Sequence, residues 1–237
     1  MRSYLALKLI LHATIMATSA EYSRDRNLRV VVPYLIYYTL FSSCRSFLLT
    51  CPDVAWTGAA TARFSHSGAI TLAKDLLKRL DATAATEAGI RLQSAKDQRE
   101  LFSYAFPMSG TKVTSTQLIS LEDAVAWAGF FSELAHLNSA CLEGAVAKHQ
   151  AGRAFGLIDD GAWELMKHGL HNGEEHFDEG DWAWLGKLFR GHTAPVALTA
   201  LVSEGMTEDF FGTWVDSDDV EDAYDPDRDW RILLDIW

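Results

Sequence analysis

Two arginines lie within helical stripes that are otherwise apolar, and their placement indicates chemistry more strongly than any other feature of the sequence. The first stripe is Tyr34, Tyr38, Phe41, Arg45 and Leu48, and the second is Ala88, Leu92, Ala95, Arg99, Phe102 and Phe106. A guanidinium that faces a core costs several kcal/mol unless it is paired or reaches water. Arg45 and Arg99 therefore predict either a functional site or structural pairing with Asp75, Asp97 or Glu100, although a long arginine side chain can also reach water along an apolar face.

Four helices are predicted in the first half of the chain, and they carry both arginines. They cover about 3–22, 28–50, 65–80 and 85–106, with Arg45 on the second and Arg99 on the fourth. Pro33 predicts that the second helix begins at that residue's turn or is kinked there. Ser65 is predicted to cap the third helix rather than to act as a nucleophile.

The second half is also predicted to be helical, over about 120–148, from Asp159-Asp160 to Asn172-Gly173, over 182–189 and over 195–202. No alternating pattern predicts a clear strand. The final residues 230–237 are predicted to fold back onto the core, with a docking peptide as the alternative. The fold class is thus all-α, with an antiparallel helical bundle over 1–110 and a further, mostly helical region over 111–237.

Charge is divided unevenly between these two regions. Residues 1–110 hold 13 Lys and Arg against 8 Asp and Glu, a net of +5, whereas residues 111–237 hold 8 against 24, a net of −16. A basic region can neutralise phosphates and an acidic one repels them. The acidic half could also cover the basic half as a mimic of nucleic acid. The simpler interpretation is that the acidic run 204–229 keeps the chain soluble.

Metal, cofactor and membrane chemistry are not indicated. His168, His171 and His176 lie near Glu174, Glu175 and Asp178, but their spacing matches no recognised metal motif, so we predict no metal site and no cofactor. The three cysteines favour a reducing compartment, and we expect a cytoplasmic protein. The apolar residues at 5–16 are interpreted as the first helix of the fold rather than a signal peptide or membrane span.

The order of motifs in the first half resembles a known family. An amphipathic helix is followed by LIYYTLFSSCRSFLL (35–49), then by FSHSGAITLAKDLLKRL (64–80), then by a long helix that contains RELFSY (99–104). This order resembles the HEPN family, the higher eukaryote and prokaryote nucleotide-binding helical fold, in which a paired-tyrosine helix precedes a histidine-led helix and an arginine-bearing helix. The resemblance covers roughly residues 4–106.

The resemblance implies metal-independent RNA cleavage in toxin–antitoxin or antiviral defence systems, by two copies that meet in a dimer. Active members carry an arginine followed four to six residues later by a histidine. Arg99 matches the arginine, but Tyr104 stands five residues further on in place of histidine. With an ordinary pKa near 10, a tyrosine is a poor proton carrier at neutral pH. His66 could supply an imidazole from the third helix, or it could simply cap or pack that helix.

Three hypotheses follow from these residues. In the first, the chain is a HEPN-like subunit with a degenerate catalytic motif that binds RNA through Arg45 and Arg99, or binds a protein partner such as an antitoxin or complex subunit. In the second, it is a metal-independent ribonuclease in which Arg99 works with His66 or Tyr104. In the third, it is a helical scaffold without a nucleic-acid role. A homodimer is an expectation of the resemblance.

Overall fold

The structure is a computed structural model, which describes residues 1–55, 64–114, 118–149, 167–171, 174–192, 194, 196–215, 223–226 and 230–234. Its fold class is all-α, as predicted, apart from one short hairpin. The helices of the first half are α1 (Arg2–Asp25), α2 (Val32–Thr50), α3 (His66–Lys78) and α4 (Ala82–Glu100), followed by a π-helical turn (Leu101–Ala105) and a 3-10 turn (Gly110–Thr114).

The second half begins with the long helix α5 (Leu121–His149). A hairpin of β1 (Lys167–His171) and β2 (Glu174–Phe177) precedes α6 (Glu179–Gly191), α7 (Leu198–Leu201) and α8 (Glu204–Gly212), and a 3-10 turn (Trp230–Leu233) lies near the end of the chain. The helices predicted over 120–148 and 182–189 are confirmed. The helix predicted over 195–202 is shortened to the single turn of α7.

Local side-chain chemistry explains where the helices begin. The hydroxyl of Ser65 accepts a hydrogen bond from the backbone N–H of Gly68 (3.1 Å), so the predicted cap of α3 is confirmed. The carboxylate of Asp81 does the same for α4, through the N–H of Ala84 (2.7 Å). Pro33 occupies the first turn of α2, where its missing N–H costs nothing, so the proline starts this helix.

Two apolar clusters form the core, and residues from both sides of position 110 contribute to each. The first cluster joins α2, α3, α4 and α5, with the rings of Phe47 and Phe131 6.0 Å apart. The second joins α1 to α5, α6, α7, α8 and the last 3-10 turn. Leu233 and Leu234 are buried in the second cluster, which confirms that residues 230–234 fold back onto the core.

The hairpin corrects the prediction that a helix ends at Asn172-Gly173. Strands flank this dipeptide, with Lys167 paired to Phe177 and His168 paired to His176. Asn-Gly between short segments is the preferred connection of two-residue hairpins, and this signal outweighs the helical spacing on its N-terminal side. The three histidines therefore lie on paired strands rather than at a helix end. The remainder of that predicted helix, over 159–166, falls outside the described residues.

The helix α1 is the one described element that meets a length-and-composition test for a membrane span. It passes although His12 and Thr14 interrupt its apolar residues. Of its most apolar window, 67% is buried inside the protein. Core helices of soluble proteins and signal sequences pass the same test.

Candidate functional site

A buried tyrosine on α2 lies at the centre of the candidate site. Tyr37 is fully buried, and its ring stacks on Phe41 with centroids 5.4 Å apart and meets the edge of Tyr38 at 5.1 Å. Its hydroxyl is hydrogen-bonded to Nδ1 of His66, the first residue of α3. The His66 ring also lies against Phe41, with centroids 4.5 Å apart. Aromatic packing and one polar contact therefore fix the imidazole at the junction of α2 and α3.

Arg99 approaches the same tyrosine from α4. Its guanidinium carbon Cζ lies 5.1 Å from the centroid of the Tyr37 ring, within the range of a cation–π interaction, and its side chain is only 14% exposed. Burial lowers the pKa of Arg99, but the hydrogen bond with Tyr38 and the electrostatic interactions with Tyr38, Tyr37 and Glu100 raise the pKa above its ordinary value. Arg99 therefore keeps its positive charge although its side chain is largely buried.

Arg45 reaches the aromatic group from α2 itself. Its Cζ lies 5.7 Å from the centroid of Phe41, and burial lowers its pKa, an effect that Cys44 and Tyr37 oppose. The two arginines that the sequence places on separate stripes thus meet around one aromatic group. We call the set Tyr37, Tyr38, Phe41, Arg45, His66, Lys96, Arg99 and Glu100 the Tyr37 cluster.

The positive charges gathered around His66 affect its pKa. Burial lowers the pKa of His66, and the positive charges of Arg99, Arg45 and Lys96 lower it further, while Glu100 opposes them. An imidazole with a lowered pKa is neutral at pH 7 and can accept a proton. His66 therefore lies in the field of three cations drawn from two different helices.

Glu100 supplies the negative charge of the cluster. Its Oε1 lies 2.9 Å from Nζ of Lys96 and 3.3 Å from Nη2 of Arg99. The hydrogen bond from Lys96, followed by the charges of Lys96 and Arg99, lowers the pKa of Glu100. The carboxylate thus occupies a position between two cations where an incoming anion would also be stabilised. Three cations and one carboxylate leave the cluster with a positive balance.

The structure brings some of the predicted site residues together and separates others. Arg45, His66 and Arg99 come together around Tyr37 and Phe41. Tyr104 lies on the π-helical turn that follows α4, and it is 81% exposed. Of the pairing partners predicted for the arginines, Glu100 contacts Arg99, whereas Asp97 accepts a hydrogen bond from Gln93 (2.7 Å). The catalytic roles of Arg99, His66 and Tyr104 stay predictions.

Sequence reasoning missed several members of this region. Tyr37 lies outside the apolar stripe of α2 that carries Arg45, and only its pairing with Tyr38 in the quoted motif marked it. His12 of α1 was also missed: its Nδ1 lies 2.8 Å from Oγ of Ser42, and burial followed by the charge of Arg45 lowers its pKa. The polar group around Arg45 therefore extends from α2 into α1.

Comparisons with known proteins found no relative of this chain. No family model, curated protein or solved structure matches the chain. The fold and the site define a helical protein with a half-buried, positively charged aromatic cluster. Membership of the HEPN family accordingly stays a prediction from the motif order.

Proposed function

We propose that this chain is a HEPN-like RNA-binding protein whose Tyr37 cluster contacts the phosphates of the RNA. The observation that carries the proposal is the convergence of Arg45, Arg99 and His66 on Tyr37 and Phe41. Guanidinium groups suit phosphate oxygens because they offer several fixed N–H donors and keep their charge. Lys96 adds a further cation at the same place.

The departure from the family motif favours binding over cleavage. The residue five positions after Arg99 is Tyr104, whose side chain is exposed, and not a histidine. In the defence and toxin–antitoxin systems that the resemblance implies, such a chain would act as a subunit that recruits RNA or a protein partner. A homodimer belongs to the same proposal.

Fluorescence anisotropy with a labelled single-stranded RNA at a series of salt concentrations tests the proposal. Arg99→Gln should weaken binding about tenfold or more, because it removes a charged hydrogen-bond donor. It should also reduce the slope of log K against log salt by about 0.7 for each lost phosphate contact. Arg79→Gln is the matched control. Arg79 lies just after the C-terminal end of α3, whereas His66 lies at its N-terminal end, and Nη1 of Arg79 lies 2.6 Å from Oδ2 of Asp53.

Two results would contradict RNA binding by the Tyr37 cluster. One is that wild type binds no RNA at low salt, which would leave the scaffold hypothesis ahead. The other is an equal loss of affinity in Arg99→Gln and Arg79→Gln, which would assign binding to general surface charge. Circular dichroism of each variant establishes that the helices are intact.

Metal-independent RNA cleavage is a second candidate function, favoured by the position of His66 beside Arg99. In such a reaction the ribose 2′-oxygen attacks the adjacent phosphorus and the bond to the 5′-oxygen breaks. The products are a 2′,3′-cyclic phosphate and a 5′-hydroxyl. A neutral His66 would accept the 2′-hydroxyl proton, Arg99 would stabilise the charged phosphorane, and a proton donor would have to supply the leaving 5′-oxygen.

An RNA cleavage assay in EDTA separates the two candidates. Cleavage by wild type that is lost in Arg99→Ala and His66→Ala would support the nuclease. If Tyr104→Phe also loses cleavage, the tyrosine hydroxyl is the proton donor. Binding without cleavage at high protein concentration would support the RNA-binding subunit instead.

A further inference from the structure

An exposed group of large side chains lies directly beyond Arg99. Tyr104 is 81% exposed, Phe106 is 67% exposed, and Met108 is fully exposed. Phe102, within the same π-helical turn, is buried against the core and anchors the segment. Exposed aromatic residues two positions apart next to a charged cluster are not explained by core packing, and such patches commonly mark binding sites.

The backbone of this segment is also unusual. The helix α4 widens into a π-helical turn, in which the N–H of Phe106 donates to the carbonyl of Leu101 (3.0 Å). Phe106 itself has a φ of 38°, in the left-handed region that a bulky residue rarely adopts. Widened turns and residues in this region of φ occur frequently at functional sites, where the surrounding structure holds them in place.

We infer that Tyr104 and Phe106 form a stacking platform for unpaired bases of an RNA strand whose phosphates contact the Tyr37 cluster. This inference rests on the proposed RNA-binding function and adds the part of the ligand that the aromatic residues recognise. A single strand offers both chemistries at once: phosphates for Arg99 and Lys96, and base faces for aromatic rings. A duplex hides its base faces within the stack, so the platform selects unpaired RNA.

Charge complementarity favours RNA over an apolar protein partner at this surface. The aromatic residues follow a helix whose last two turns hold Lys96 and Arg99. Within the described part of the chain, these two cations share the carboxylate of Glu100 as their ion-pair partner. Burying these charged groups against an apolar surface would cost desolvation energy. An RNA strand instead supplies compensating negative charge.

The platform gives Tyr104 a different role from the proton carrier of the sequence hypothesis. An α-helix would rotate a residue five positions after Arg99 by about 140° from its face. The π-helical turn contains more residues per turn and so reduces this offset. Tyr104 thus lies nearer to the face of Arg99, and in this inference its ring, rather than its hydroxyl, contacts the ligand.

RNA-binding measurements with three ligands test the platform. The ligands are a labelled single-stranded 12-mer, the same 12-mer with abasic residues, and a duplex of equal length. Tyr104→Ala and Phe106→Ala should each weaken binding of the single strand about fivefold or more, with little effect on the abasic strand. Tyr104→Phe should bind as wild type does, because it keeps the ring. Trp214→Ala, which removes an exposed aromatic residue after α8, is the matched control.

The outcomes distinguish the platform from the RNA-binding function itself. If Arg99→Gln loses affinity while Tyr104→Ala and Phe106→Ala bind as wild type does, the platform is wrong and the RNA-binding function stands. If Arg99→Gln also binds as wild type does, the proposed function fails. The remaining alternative is that this surface contacts a second copy of the chain, and sedimentation of the same variants measures their oligomeric state. Conversion of a dimer to a monomer by Tyr104→Ala, with unchanged RNA affinity, would assign the surface to a second copy and overturn the inference.

Discussion

The hydroxyl of Tyr37 is hydrogen-bonded to Nδ1 of His66, and this contact joins the buried face of α2 to the first residue of α3. Burial raises the pKa of Tyr37, so the hydroxyl keeps its proton at neutral pH and can either donate or accept. If the hydroxyl donates, the ring proton lies on Nε2 and His66 offers a donor there. If Nδ1–H donates instead, Nε2 is a base. The direction of this one bond thus separates a binding role from a catalytic role.

Tyr37→Phe should leave the fold intact and release His66. The ring packing on Phe41 is preserved, so we expect the free energy of unfolding to fall by only about 0.5–1.5 kcal/mol, the usual net contribution of one hydrogen bond. The nitrogen chemical shifts of His66, measured by NMR, should change because Nδ1 loses its partner. Tyr34→Phe on the same helix is the control. Unchanged shifts in Tyr37→Phe would show that this contact does not set the state of the imidazole.

Arg99→Gln should raise the pKa of His66 towards its ordinary value. Burial is the largest cause of the lowered pKa and is unaffected, but the charge of Arg99 is the next largest and is removed. An NMR titration of the His66 ring measures the effect directly, with Arg79→Gln as the control. A pKa that does not move in Arg99→Gln would mean that the two side chains are not close in solution.

Glu100→Gln should increase the affinity for RNA. The carboxylate pairs with Lys96 and Arg99, and removing its charge releases both cations for phosphate contacts. Because exposed ion pairs contribute little, we expect an increase in affinity of roughly 1.4- to 5-fold. Glu87→Gln is the control, because it changes the net charge by the same amount at an exposed position of α4. Equal increases in the two variants would exclude a specific role for Glu100.

Protonation of His12 should destabilise the folded protein in acid. Burial, and then the charge of Arg45, lowers the pKa of His12 from its ordinary value of 6.5, so the unfolded chain binds more protons as the pH falls below 6.5. The stability present above that pH is therefore lost as the pH falls through the folded-state pKa. The unfolding temperature of His12→Gln should fall less than that of wild type between pH 7.5 and 5. Exposed His149→Gln should follow wild type, and parallel curves for all three proteins would contradict the prediction.

Leu234→Ala should destabilise the second core cluster. The side chain is fully buried at the end of the described chain, so its truncation should cost about 2–5 kcal/mol in chemical denaturation. Ile232→Ala, two residues earlier at an exposed position, should change stability by no more than about 0.5 kcal/mol. Similar small effects of both variants would mean that the chain end is not packed in solution as it is here.

Much of the helical fold is determined locally and could be predicted from the sequence. Ser65 and Ser120 mark the starts of α3 and α5 because each hydroxyl accepts a backbone hydrogen bond three residues ahead. Pro33 fixes the first turn of α2 in the same local way. Apolar periodicity then identifies the buried faces, since residues three and four apart share one side of a helix. The hairpin of β1 and β2 also had a local signal, the Asn-Gly dipeptide between the two strands in the sequence, but the helical spacing before that dipeptide favoured a helix.

The candidate site was decided by tertiary structure. The sequence indicated that Arg45 and Arg99 needed an explanation, but it could not show that both approach one aromatic group or that His66 is hydrogen-bonded to Tyr37. The π-helical turn that exposes Tyr104 was likewise absent from the periodicity. Caps and helical faces depend on residues within about one turn, whereas these contacts depend on how α2, α3 and α4 pack together. That packing brings together residues up to 62 positions apart, from Tyr37 to Arg99, and no local pattern encodes it.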